Sequence, residues 1–356
     1  MPYYDDGHLP EQHLIDHNFC LYLHDVCLSI FEECMENGHR MSYTIKENGR
    51  VSLEGLEKTE DLFSWLRTNG YEKEANLILK RKMFHAILAD FLSYVLESLK
   101  ASEKGKTAIS FTLLRKPFKD NLFYLEWLVA NGDELLSFVD AGKIEEYEVG
   151  RIRKYKNEKI KKILNKVMKK NDFKELLHFP DDNYLYKLRY DYNAPFGLEL
   201  MWNKANHLVT TAKKIRTKDF NDIFLTEKDY EERWHYFYTK VPLLLLYSTG
   251  VVIRLYEQLF EEISSSTKFY NKIFLLIKWF SRVDNELGKQ FIESIFEESE
   301  IPIYCDNCES QTLINKERAF KIPFDWGLEC DHCKEFISIS RYHFVDLEGD
   351  ERNEKK

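Results

Sequence analysis

Apolar positions recur at spacings of three and four along most of the chain, the pattern of helices that each bury one face. Glu11 to Asn37 is helical by this test, with Gly38 a natural stop. Met41 to Leu53 alternates instead, around Glu47-Asn48-Gly49-Arg50, and Asn-Gly predicts a small β-hairpin near 41–53. Thr59 to Asn69 reads as a short helix closed by Gly70, and Glu72 to Ala101 as a long one. In Ala108 to Ala130, Phe111, Leu114, Phe118, Leu122, Leu125 and Val129 form a single stripe. Pro117 sits within it and lacks a backbone N–H, so it must start a helix or kink one. Phe196 to Ala212, introduced by Asn193 and Pro195, is expected to be helical. Glu227 to Lys240 and the strongly apolar Val241 to Glu262 follow, then Phe269 to Phe280 and Asp284 to Glu298. The expected fold is mainly α: a multi-helix bundle over residues 1–300 with a small hairpin near the N-terminus, a module at 301–348, and a polar tail at 349–356.

Beyond Pro302 the pattern changes to short alternating runs, Thr312-Leu313-Ile314 and Phe336 to Ser340, which suit strands. Cys305-Asp306-Asn307-Cys308 is answered there by Cys330-Asp331-His332-Cys333. A C-x-x-C turn can aim two sulfurs at one point, and two such turns supply the four thiolates that a tetrahedral zinc ion takes. Cys305, Cys308, Cys330 and Cys333 are therefore the expected metal ligands. With four sulfurs no position stays open for water, so the ion would be structural. Two knuckles joined by short strands resemble a zinc ribbon.

Composition changes this picture little, and charge changes it more. Of 356 residues 44% are hydrophobic and 15% aromatic, enough for a sizeable core. The chain opens with no basic stretch followed by an apolar one, and its most apolar run, Val241 to Ile253, is short for a bilayer. With thiols expected to be free, a cytoplasmic protein without a membrane partner is the expectation. The net charge of −9 is uneven: Arg151 to Lys174 carries 11 Lys/Arg against 2 Asp/Glu, and residues 301–350 carry 5 against 10. Nucleic acid, if bound, would meet the first segment rather than the ribbon.

Candidate chemistry in the helical part is sparser. His13, His17, Cys20, His24 and Cys27 share one helix face, but Cys20, Cys27 and Cys34 are each a heptad apart, roughly 10 Å, and cannot share an ion; a core stripe is the reading. Arg115 and Glu126 lie beside the Phe111 stripe, too far apart to pair, and each needs a partner if buried. Glu199, Asn203, Asn206, His207 and Thr210 recur on one side of the Phe196–Ala212 helix, opposite Leu198 and Trp202. Directional hydrogen-bonders in that arrangement suit either a buried polar network or a wall facing a ligand. There is no glycine-rich phosphate loop, no G-x-S-x-G and no H-E-x-x-H.

The order of elements over 72–262 resembles HEPN-type helical bundles: long helix, stripe helix with Arg115, charged connection, polar helix with His207, apolar closing helix. The family's Arg-x4-6-His signature is absent, since Asn203 and Lys204 precede His207. The resemblance implies a defence, toxin or RNA-cutting context, with His207 as acid or base and Arg189 or Lys204 steadying phosphate. Three functions follow as expectations: a zinc-stabilised binding or scaffold protein in a bacterial defence or regulatory assembly, with a protein partner or a second copy; a HEPN-like ribonuclease or nucleic-acid binder; and a small-molecule sensor.

Overall fold

The computed structural model describes residues 9–36, 61–211, 216–217, 220–221 and 225–344. It is mainly helical, and both β-hairpins among the described residues belong to the C-terminal segment. The hairpin expected near 41–53 and the tail at 349–356 lie outside the described residues.

Helix α1 (Leu14–Glu36) follows a single 3-10 turn at Glu11–His13. Its His13, His17, Cys20, His24, Cys27 and Cys34 stripe is buried, as a core face should be. Asp61 caps α2 (Leu62–Thr68) by accepting from the Phe63 and Ser64 amides, and Gly70 closes it at a φ of 85°. Helices α3 (Glu72–Glu103) and α4 (Thr107–Lys116) form an antiparallel pair, tied by Ser98 and Ser110, each of which donates to the other's carbonyl.

Pro117 does not break the run of helix. It opens a π-helical turn, Pro117–Asn121, that leads into α5 (Leu122–Asp140). The widened turn is served by side chains: Arg189 Nε donates to the Phe118 carbonyl at 2.6 Å and the Tyr190 hydroxyl to that of Lys119 at 2.8 Å. Turns of this kind lie frequently at functional sites. Short helices α6 (Ile144–Tyr147), α7 (Val149–Tyr155), α8 (Asn157–Met168), α9 (Lys174–Leu177), α10 (Tyr184–Arg189) and α11 (Leu198–Asn206) wrap this centre. On α8 the buried residues are Ile160, Ile163, Leu164 and Val167, so the basic helix is amphipathic as its sequence implies.

The two segments expected around Val241 form one helix, α12 (Glu227–Leu259), capped by Thr226 and Asp229 in a reciprocal box. Pro242 lies inside it without ending it. The carbonyl that loses its helical donor, that of Tyr238, receives the Arg282 guanidinium at 3.4 Å. Gly250 admits Asn171 against the helix, where Asn171 Nδ2 donates to the Tyr247 carbonyl at 2.9 Å; a Cβ at Gly250 would strike that side chain. By length and composition α12 could cross a membrane, but 78% of its most apolar window is buried within the fold, as in a central core helix.

Helices α13 (Ser265–Val283) and α14 (Asn285–Phe296) are capped by Ser264 and Asp284. Strands β1 (Ile301–Tyr304) and β2 (Gln311–Ile314) pair antiparallel with Ile301 opposite Ile314. A helical turn at Lys316–Ala319 leads to β3 (Gly327–Glu329) and β4 (Phe336–Ser338), paired with Leu328 opposite Ile337. The C-terminal module has more interior than its length suggests. Six residues of α13 and α14, Phe274 and Ile277 among them, pack with seven apolar residues of 301–339 in a second core that also holds Cys305 and Cys330. A boundary at residue 300 therefore runs through a shared core.

Candidate metal centre

Each C-x-x-C forms a knuckle, and the two knuckles are built alike. The Glu309 amide donates to the Cys305 carbonyl at 2.9 Å and the Lys334 amide to the Cys330 carbonyl at 3.1 Å. The Cys305 amide donates to Ser310 and that of Cys330 to Glu335, which closes both loops. Glu309 and Lys334 take left-handed backbone conformations, with φ of 57° and 67°. Neither is glycine, so each turn is strained by about 1–2 kcal/mol at most. Structure elsewhere must hold it.

The sulfurs converge. The ligand atoms of Cys305, Cys308, Cys330 and Cys333 all lie within 4.8 Å of one another, and among the described residues this is the cluster able to hold a metal ion. Cys305 Sγ is 3.5 Å from Cys333 Sγ, and Cys308 Sγ is 3.7 Å from Cys330 Sγ. All four are free thiols. Four sulfurs about 2.3 Å from a central ion in a tetrahedron stand about 3.8 Å apart, close to what is found.

The surroundings favour thiolate at Cys330 and Cys308, while the Cys305 thiol is held up at about 11. The Cys333 amide is the largest influence on the Cys330 thiol. With the His332 amide and the Thr312 hydroxyl it brings that thiol down to about 6, against the opposing effect of burial. Thr312 is fully buried and also accepts from the Asp331 amide at 3.1 Å. Each knuckle is braced by an arginine on the aspartate that follows its first cysteine. Arg318 holds Asp331 through both nitrogens, at 3.0 and 2.5 Å, and Arg341 holds Asp306 at 2.6 Å. The sequence reading named the four cysteines that cluster and missed these braces, although the repeated Cys-Asp-x-Cys carried the signal.

The other candidates are placed differently. Helix α11 ends at Asn206 instead of running to Ala212, and it begins after Gly197 rather than at Pro195. Asn203 and Asn206 turn their amides onto their own helix, donating to the Glu199 and Trp202 carbonyls. Side chains that compete for backbone groups in this way weaken a helix. Beyond Asn206 the chain is irregular: Thr210 and Leu208 exchange bonds with Thr217 and Asn221, whose amide also reaches the His207 carbonyl. His207 is exposed, as are Lys204 and Asn206. Glu199 points the other way, buried between Lys119 at 2.6 Å and Arg153 at 2.5 Å. The five residues do not form one wall.

Arg189 is wholly buried and pairs with Glu126, also wholly buried, with Tyr190 and Tyr247 alongside. That supplies the partner Glu126 needs and removes Arg189 from any role on phosphate; Arg115 is exposed. Within the basic segment, Arg153, Lys156, Lys159, Lys161 and Lys174 pair with glutamates and Lys166 donates to the Ala130 carbonyl, so about half of its 11 cations have partners inside the protein.

No protein family, curated protein or solved structure matches the chain. The molecule is thus defined by its own features: a mainly helical protein with a C-terminal four-cysteine cluster that could hold a metal.

Proposed function

We propose that this protein is a zinc-stabilised helical binding protein whose C-terminal ribbon docks another protein within a larger assembly. Zinc suits the donor set, since four convergent thiolates favour a soft ion without geometric demands of its own. Cys305, Cys308, Cys330 and Cys333 would hold it, and its contribution would be to fix the two knuckles. The observation that carries docking is the ribbon's surface. Tyr304, Leu313, Phe324 and Phe336 are 45%, 39%, 60% and 65% exposed on a small module. Pro302 pairs with Leu313 and Tyr304 with Gln311, so Tyr304 and Leu313 share the outer face of one hairpin. Large exposed apolar side chains on a small module, two of them sharing one strand face, with acidic residues around them, fit an apolar-and-basic protein surface better than phosphate.

The test has two parts. Metal analysis of protein purified without chelator should give one zinc per chain. Affinity purification from native cells should recover a stoichiometric partner that is lost with the Tyr304→Ser/Leu313→Ser double variant while its zinc stays bound. Recovery that is indifferent to the double variant would sink the docking surface. A chain free of zinc with an ordered ribbon would sink the metal. In the ribonuclease reading His207 and Lys204 would have to act without Arg189, and no second feature of the structure supports it.

A further inference from the structure

Helices α1, α9, α12 and α13 leave a solvent-open cleft of about 680 Å³, within the range of small-molecule sites. Its polar groups come from distant parts of the chain. His13 and Asp16 stand at the start of α1, His235 on α12 and Arg282 near the end of α13. The His13 and His235 rings are 6.5 Å apart between centroids. Asp16 Oδ1 accepts from Arg282 Nε at 2.5 Å. A second nitrogen of Arg282 reaches the Tyr238 carbonyl, and the guanidinium lies 5.1 Å from the Trp279 ring centroid. The pair is thereby fixed before any ligand arrives. Arg282 Nη1 and Asp16 Oδ2 have no hydrogen-bond partner among the described residues, so a donor and an acceptor remain side by side.

Two further features narrow the occupant. His13 is held below the usual histidine value, chiefly by burial, with Asp16 opposing and His235 adding to the effect. As a neutral imidazole it has one donor and one acceptor, and its Nε2 already meets Gln12 Nε2 at 3.5 Å. Apart from Gln12 and Thr239, the rest of the lining is apolar, with Leu176, Leu243 and Trp279. The charges of Asp16 and Arg282 cancel, so a ligand recognised mainly by net charge gains little here. An uncharged planar ring with alternating donors and acceptors on its edge matches both the array and the wall.

We propose that this cleft binds a ribonucleoside or mononucleotide by its base. The base edge meets Asp16, Arg282 and His13, its face lies against the apolar wall, and the sugar extends toward His235. The inference does not depend on the metal centre or on the ribbon surface.

The experiment is isothermal titration of the full chain with the four ribonucleosides and their 5′-monophosphates. At least one should bind once per chain with a Kd below about 1 mM. Asp16→Asn should weaken it by about tenfold or more, as loss of a hydrogen bond to a charged group does. Thr239→Trp should abolish binding by filling the cleft from an exposed position, with melting and zinc content unchanged. Absence of binding by all eight compounds overturns the proposal, as does binding that survives Thr239→Trp. Binding of a single-stranded RNA oligonucleotide without any mononucleotide overturns it too, and would turn attention to a polymer.

Discussion

The helical body and the ribbon solve the same problem with different means. The body has a large apolar interior and tolerates a wholly buried ion pair, Glu126 with Arg189, at its centre. The ribbon contributes seven apolar residues to its core and keeps its ion pairs, Asp306 with Arg341 and Asp331 with Arg318, at the surface. Its central polar feature is four convergent sulfurs. A large interior can absorb the desolvation of a charge pair and use it to set orientation; a small one needs a stronger bond per residue, which metal–thiolate contacts would give if the four sulfurs hold an ion.

The largest effect should come from breaking the ribbon's side of this contrast. Cys330→Ser, or chelation of the wild-type chain, should release the metal and unfold 301–339 while most helical signal persists. Structural zinc sites contribute on the order of 10 kcal/mol in isolated peptides, and the core shared with α13 and α14 will reduce the loss. Hydrogen exchange resolved by segment would show it; uniform protection across 301–339 after metal loss would mean that the apolar core suffices alone.

Breaking the body's side should cost less. Arg189→Met leaves the Glu126 carboxylate buried, where burial already raises its pKa and Arg189, ahead of Tyr247, opposes this, and should destabilise by about 3–5 kcal/mol in urea unfolding. Adding Glu126→Leu should recover much of that. A double variant as unstable as the single one would mean that the pair also supports the turn at Pro117–Asn121, whose Phe118 carbonyl Arg189 holds.

The smallest effect lies where the two regions meet. Lys278 of α13 is buried and donates to the Ile322 and Asp325 carbonyls of the ribbon, at 2.6 and 3.3 Å. Burial brings its pKa from 10.5 down to about 8, with Asp325 opposing. The folded pKa lies below the unfolded one, so between pH 8 and 10.5 the unfolded chain holds more of the proton. Relative to Lys278→Met, wild-type stability should therefore rise with pH across that window, by up to about 3 kcal/mol. A pH-independent difference would show that the amine stays charged when folded.

What the sequence disclosed and what it withheld divide along a physical line. Helix faces were legible because burial imposes a period: the Phe111-to-Val129 stripe and the α1 stripe are core. The four-cysteine cluster was legible because a knuckle needs only four consecutive residues. The pairing of Glu126 with Arg189, 63 residues apart, was not, because no local pattern encodes it. Neither was the end of α11, where two asparagines turn back onto their own backbone. The sequence reading split the stretch at Val241, and only the Arg282 contact shows how one continuous helix accommodates Pro242. His13 read as a core residue, and the cleft it shares with His235 exists only in the assembled helices.

The chain does not stop at the ribbon. After β4 it returns to the body, where Tyr342 joins the main core and its amide donates to Ser29 Oγ at 2.7 Å. Asn271 grips His343 through both backbone groups, at 2.7 and 2.8 Å. Ser29 and Tyr342 are separated by 313 residues. During synthesis the groove of α1 therefore stays open until a segment 313 residues further along has been made.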